Sequence, residues 1–418
     1  SVDEALHILR EGILLSRERR GGDGISKSPL IRELVKYEWF RKGSLDEVYD
    51  AFECALIVII HAVDCTSRRL KRARTVHSRH AKKDYTYRMK VTLPAILSIA
   101  VLLLTVSCGG SNPRVLEETK RTDTLVKFRF ESKAILQGKL ETRPEATLFV
   151  SLPDSYRSSR NRRYPVVYAL HGFGDGGMSM ILSLRGKAAS GADVPEVIIV
   201  GVEGGNSLGG SFFANSPATG NWEDLVTSEA ISLVDRKFRT IASREGRALA
   251  GYSMGGFGSW RIALSRPDLF CGAWAACPGA WDETGLADTL SGWSTTYRNA
   301  YGAAYAPDLS LPPPYARIPK LDGSPNDTAI AAEWQKGFGS VDERLAAYAK
   351  QDYKLKLVSF AYGNRDGYGW IIRGTRFVAD RMGQAGLPVE LREFRAGHLV
   401  TDEMLAESYV PLLQALFR

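Results

Sequence analysis

The chain has 418 residues, 44% hydrophobic and 24% charged, with 40 glycines and 18 prolines, a folding composition that excludes a collagen-like or wholly disordered polymer. Five cysteines spread over that length exclude a disulfide framework. The formal net charge of +8 is local: residues 1–90 hold 19 Lys/Arg against 13 Asp/Glu, a net of +6, and residues 91–418 hold 36 against 34, a net of +2.

Residues 1–66 show helical spacing, as in Leu30, Ile31, Leu34 and Val35 and again in Val48, Phe52 and Leu56, broken at Gly21-Gly22-Asp23-Gly24. They carry no recognisable chemistry. Between Arg68 and Lys90 stand ten basic residues and one acid. No aromatic or turn pattern there matches a nucleic-acid reader, so the run reads as a solvated linker and no nucleic-acid partner is expected. It leads into Met89-Lys90, 17 uncharged residues from Val91 to Ser107, and Cys108-Gly109-Gly110-Ser111-Asn112. That is the layout of a bacterial lipoprotein signal peptide, with Thr105-Val106-Ser107-Cys108 as a loose lipobox and Cys108 as the lipidated residue. The competing reading is a short transmembrane helix, for which 17 residues containing Pro94 are at the lower limit. The expected organisation is a poorly defined helical and basic segment at 1–88, readable as upstream sequence translated in frame, a signal peptide and tether at 89–112, and a folded domain at 113–418. An anchor at Cys108 would tie the protein to the membrane of a bacterial cell envelope; without it the protein would be secreted or periplasmic.

Beyond the tether, Val126 to Glu131 and Thr147 to Leu152 alternate as antiparallel strands do, while Pro165 to Leu170 is a continuous apolar run suited to burial on both faces. Strand and helix signals then alternate. Val197 to Val202 is a strand and Trp222 to Phe238 a helix; Arg247 to Tyr252 is a strand and Phe257 to Ser265 a helix. The pattern resumes with strands at Cys271 to Cys277, Leu355 to Tyr362 and Val389 to Phe394, and helices at Gly374 to Ala385 and Asp402 to Phe417. This predicts an α/β fold with a mostly parallel central sheet flanked by helices. A stretch from Gly279 to Gln351, with its Pro312-Pro313-Pro314 turn, interrupts the alternation and reads as a cap insertion near 279–351, with helical pieces at Ala329 to Trp334 and Asp342 to Ala349. Cys271 and Cys277 are six residues apart on one strand, too far for a disulfide, and no Cys/His cluster suggests a metal.

Gly251-Tyr252-Ser253-Met254-Gly255 stands between a strand and a helix, where a sharp turn exposes a serine hydroxyl to a base and to oxyanion donors. From Cys108 onward the chain has two histidines, His171 and His398. His398 lies in a loop between the last strand and the last helix, the place for a general base. His171 opens His171-Gly172-Phe173-Gly174-Asp175-Gly176-Gly177, a glycine-rich loop after a buried strand. With no GK[ST] it is not a P-loop, and it assigns the oxyanion donors to the N–H groups of Phe173 and Met254. The carboxylate that orients the base falls to Asp366, in the loop after the strand that follows the cap; Asp352 is at the wrong end of that strand, Glu393 lies within a strand, and Asp402 caps a helix. The loop from Gly204 to Gly220, with Phe212, Phe213 and Asn215, reads equally as a wall of the substrate cleft or as a structural loop.

On Tyr164 to Gly174, Asn215 to Asp224 and Gly246 to Phe270, the chain resembles the esterase D-like group of α/β-hydrolases, with its feruloyl and acetylxylan esterases and mycolyltransferase-like proteins. The resemblance covers about Leu125 to Arg418. It implies a serine esterase without metal or cofactor, acting on small-molecule or carbohydrate esters through Ser253, Asp366 and His398. Many relatives carry a tryptophan-containing segment after the histidine, where this chain has Leu399-Val400-Thr401-Asp402. Two alternatives stay open: an acyltransferase using the same acyl-serine, and an inactive lipid-anchored binding protein.

Overall fold

Period-two alternation produces the first three strands in the computed structural model of the chain, which describes residues 113–140, 144–186 and 193–418. Cys108 and the segments 1–88 and 89–112 lie outside the described residues. β1 (Val115–Lys120), β2 (Leu125–Glu131) and β3 (Glu145–Ser151) turn alternate side chains toward the core and toward solvent, and each pairs antiparallel with the next. The remaining strands of this sheet are β4 (Val166–Leu170), β5 (Ile198–Val202), β6 (Arg247–Tyr252), β7 (Gly272–Ala276), β8 (Leu357–Gly363) and β9 (Val389–Phe394). β3 pairs antiparallel with β5, and every later pairing is parallel, giving a nine-stranded sheet in the order β1, β2, β3, β5, β4, β6, β7, β8, β9.

The central strands are buried on both faces. In β4, Val166, Tyr168 and Leu170 enter one hydrophobic cluster and Val167 and Ala169 the other, each fully buried. Side chains of that size each contribute about 1.5–3 kcal/mol on burial, which is why an uninterrupted apolar run is stable only here. Helices cover both faces. α1 (Gly177–Leu184) lies on one face. α2 runs from Trp222–Asp224 through a π-helical turn, Leu225–Ala230, into Ile231–Lys237, and lies on the other face with α3 (Met254–Ser265). The mostly parallel sheet flanked by helices is the α/β architecture expected from the sequence. α1 and β1 were not legible there: α1 follows a glycine run, and β1 keeps its outward residues polar along the sheet edge.

Between β7 and β8 the chain forms four helices where spacing predicts two: α4 (Gly285–Gly292), α5 (Thr295–Tyr305), α6 (Pro325–Gln335) and α7 (Val341–Ala349). They gather around aromatic side chains, with Tyr301 and Phe338 at 5.0 Å and Tyr301 and Trp334 at 4.9 Å between ring centres. α8 (Gly369–Gln384) holds this insertion from the side, Arg373 pairing with Asp282 and Asp288, and Arg381 with Asp342. The chain ends in α9, from Asp402–Met404 through a π-helical turn, Leu405–Tyr409, into Val410–Phe417, on the same face of the sheet as α1.

Candidate active site

Ser253 occupies the single residue between β6 and α3 and adopts φ 55° and ψ −115°, a conformation that costs a non-glycine residue about 1–3 kcal/mol. The turn closes only because its flanks lack side chains. A Cβ on Gly251 would stand 2.0 Å from the Gly255 carbonyl oxygen, and one on Gly255 would stand 2.0 Å from that of Leu170. The Ser253 N–H donates to the Ala276 carbonyl at 2.9 Å, so neighbouring β7 fixes the strained residue from below.

The sheet brings His398 and Asp366 to the same edge. His398 follows β9, and its Nε2 lies 2.9 Å from Ser253 Oγ; its Nδ1 lies 2.6 Å from Asp366 Oδ2. A carboxylate only accepts, so Nδ1 carries the imidazole proton and Nε2 presents its lone pair to the serine hydroxyl. Asp366 follows β8 with its side chain buried, and its other oxygen accepts the Tyr368 N–H at 2.8 Å. The two loops are tied together: Asn364 N–H donates to the Phe394 carbonyl and Arg365 N–H to that of Ala396. Gly363 lets them cross, since a Cβ there would meet the Ala396 oxygen at 2.3 Å.

Two residues outside the sequence-predicted set brace His398. Tyr252, inside the serine turn, donates its hydroxyl to the His398 carbonyl at 2.7 Å and sets its ring 5.1 Å from the imidazole. Burial, with nearby negative charge adding to it, pushes the Tyr252 hydroxyl well above its ordinary range, so it stays a donor at any working pH. Tyr368, half exposed, meets the imidazole edge-on at 5.0 Å. A tyrosine beside the nucleophile is visible in the sequence; that it reaches a carbonyl 146 residues away is not.

The glycine-rich loop after β4 runs past the serine, with a Cβ position on Gly172 at 3.6 Å from Ser253 Cβ. Buried His171 shapes this loop. Its Nε2 accepts the Gly204 N–H at 2.8 Å, which leaves Nδ1 to donate to the Gly172 carbonyl at 2.7 Å. Glu203 Oε1 lies 3.3 Å from Nε2, but that lone pair is already taken, so the contact is not an ion pair. The Gly172 carbonyl and the Phe173 N–H share one peptide plane, so holding the oxygen fixes the direction of the N–H. That N–H has no acceptor among the described residues. The Met254 N–H is at the first position of α3, where helix geometry leaves donors free and the dipole favours negative charge.

Phe212 and Phe213 lie behind this loop, fully buried, at φ 54° and 49°. Phe212 packs 5.8 Å from Phe173, and Phe213 meets the His171 ring at 5.7 Å. Their aromatic surface therefore supports the oxyanion loop from within instead of facing solvent. Asn215 is turned to the start of α2, its Oδ1 accepting the N–H groups of Glu223 and Asp224 and its Nδ2 donating to Asp224 Oδ1. Near His398, the large side chains of Tyr368 and Leu399 are exposed. Cys271 and Cys277 are free and buried.

A strained serine between a parallel strand and a helix, in line with a histidine and a carboxylate from later strand ends, has the form of an α/β-hydrolase site. The profile of the family described as "Putative esterase" matches residues 141–377, more than half of the chain, and the chain belongs to that family. An esterase of Mycobacterium tuberculosis is 26% identical over 330 residues, covering 74% of this chain. The chain spans 64% of the length of that relative. An endo-1,4-beta-xylanase/feruloyl esterase of Xylanibacter ruminicola is 32% identical over 157 residues, 34% of this chain and 20% of that protein. The solved structure of a ferulic acid esterase superposes with a TM-score of 0.47 at 19% identity, covering 70% of this chain and 98% of the other.

Proposed function

We propose that the protein is a serine carboxylic-ester hydrolase acting on small or carbohydrate-linked acyl esters. The observation that carries this reading is the hydrogen-bonded line from Ser253 Oγ through His398 to Asp366, anchored on a strained strand-to-helix turn. His398 Nε2 takes the hydroxyl proton as Ser253 Oγ attacks the ester carbonyl, and Asp366 holds the Nδ1 proton and stabilises the imidazolium. The Phe173 and Met254 N–H groups supply the donors for the oxygen that becomes negative. His398 returns its proton to the departing alcohol. Water, deprotonated by the same nitrogen, then releases the acyl group from Ser253. None of these steps calls on a cofactor. The xylanase/feruloyl esterase relative supports an ester carried on carbohydrate.

The test is turnover of p-nitrophenyl acetate and butyrate by the full chain beside Ser253→Ala. Wild type is expected to turn over both and to take a fluorophosphonate label; the variant keeps its far-ultraviolet circular dichroism, takes no label, and loses about 10⁴-fold or more in kcat. Equal turnover by a folded Ser253→Ala protein rejects the reading.

A further inference from the structure

Beside the His398–Asp366 pair lies a thiol that ester chemistry does not use. Cys277 follows β7 at φ 42°, its N–H donating to the Ala361 carbonyl of β8 at 2.7 Å, and its side chain is fully buried. Its Sγ lies 4.0 Å from the Leu399 carbonyl and also meets the backbone of Gly363. One donor atom each from Cys277, Asp366 and His398 lie within 4.8 Å of one another. The three residues come from three separate strand ends, so the sheet itself converges them.

Sulfur, imidazole nitrogen and carboxylate oxygen form a donor set suited to zinc and similar thiophilic cations. The charges also balance. A thiolate and a carboxylate cancel a divalent ion while the imidazole stays neutral, so an occupied site carries no net charge in a buried place where unbalanced charge is costly. Around a tetrahedral ion with bonds of about 2.0–2.1 Å, nitrogen and oxygen sit roughly 3.3 Å apart. The His398 and Asp366 atoms, now 2.6 Å apart, therefore need to separate only slightly. The His398 side chain is 19% exposed and that of Asp366 0%, so an ion enters past the imidazole edge.

We propose that Cys277 Sγ, Asp366 and His398 Nδ1 form an inhibitory site for a thiophilic divalent cation such as Zn²⁺; the inhibition, though not the binding, rests on the triad reading above. On binding, the thiol gives its proton to solvent and the thiolate, one Asp366 oxygen and Nδ1 bond the ion. The proton that Nδ1 held moves to Nε2. That nitrogen then faces Ser253 as a donor and can no longer accept the hydroxyl proton, and Asp366 is withdrawn from the imidazole.

The experiment titrates Zn²⁺ against p-nitrophenyl acetate turnover by the full chain, and Co²⁺ against its thiolate charge-transfer absorbance. Wild type is expected to lose activity as Zn²⁺ rises and to recover it with EDTA. Cys277→Ala, or Cys277→Val where the alanine variant folds poorly, keeps metal-free activity. Loss of a supporting group outside the ligand set alone weakens metal binding about 10–100-fold, so losing a ligand should raise the Zn²⁺ needed for half inhibition at least about tenfold. In Ser253→Ala protein, where turnover plays no part, the cobalt band should be present, and it should weaken when Cys277→Ala is added; the remaining cysteines contribute equally to both proteins. Insensitivity of wild type to Zn²⁺, equal inhibition of the cysteine variant, or a band indifferent to Cys277 overturns the proposal. Turnover surviving in Ser253→Ala would instead strike the triad reading, leaving the cobalt band to decide whether the site binds metal.

Discussion

His398 can accept a proton from Ser253 only while its ring is held in one orientation, and the structure holds it by side chain and main chain together. Asp366 grips Nδ1, and Tyr252 grips the carbonyl of the same residue. Removing the Tyr252 hydroxyl deletes a hydrogen bond and leaves a carbonyl short of its donor, a combined cost of about 1–3 kcal/mol. Tyr252→Phe should therefore lower kcat for p-nitrophenyl acetate about tenfold while KM stays near wild type, because 1.4 kcal/mol is one factor of ten and substrate binding does not use this bond. A rise in KM with unchanged kcat would show instead that the tyrosine contacts substrate. Ser253, His398 and Asp366 were legible in the sequence because each is nearly unique in its context: one serine turn, one late histidine, one acid at the proper strand end. Tyr252 was not, since its role depends on which loop the fold folds back over it.

At the scale of elements, strand ends place the chemistry, and the bonds joining β8 to β9 decide where Asp366 and His398 stand. Glu393 on β9 is one of these joints. Its carboxylate accepts the hydroxyl of Tyr362 from β8 and the amide of Asn364 just after that strand, and pairs with Arg376 of α8. Those partners, the Tyr362 hydroxyl foremost, hold its pKa down from 4.5 to about 2. Because the folded value lies below the unfolded one, the contribution is fully present above about pH 5 and is lost as pH falls from there toward 2. Glu393→Gln should thus lower the urea midpoint at pH 6 and have progressively less effect as the pH approaches 2. A constant offset at every pH would mean that packing, not charge, is what the carboxylate supplies. The sequence showed β8 and β9 as strands within two residues, β8 through its buried apolar run, whereas α4 and α5 went unread. α5 carries Tyr, Thr and Asn, poor helix formers whose place is set by the aromatic cluster they join. Tertiary contact overrides local preference there, and a single-chain pattern has no access to it.

Taken as a whole molecule, the hydrolase sheet and the four-helix insertion meet at the oxyanion loop. Tyr297 of α5 packs 4.5 Å from Phe173, whose N–H is the proposed oxyanion donor, and also touches Phe212 behind it and Trp293 beside it. The insertion is thereby a mechanical backing for the loop as well as a cover, and the two roles predict different consequences. If Tyr297 only covered, its removal would cost stability alone. As a backing, Tyr297→Ala should destabilise the protein by about 2–4 kcal/mol, the cost of emptying an aromatic site. It should also lower kcat about tenfold at temperatures well below unfolding, because Phe173 loses the surface that fixes its peptide plane. Tyr297→Phe, which keeps the ring and drops only the hydroxyl, should restore both quantities nearly to wild type. The measurement is kcat for p-nitrophenyl acetate beside the urea midpoint for all three proteins. A variant with a lowered midpoint and undiminished kcat would reduce the insertion to a lid, whereas loss and recovery of kcat with the ring would make the cap part of the machinery that holds the oxyanion donors.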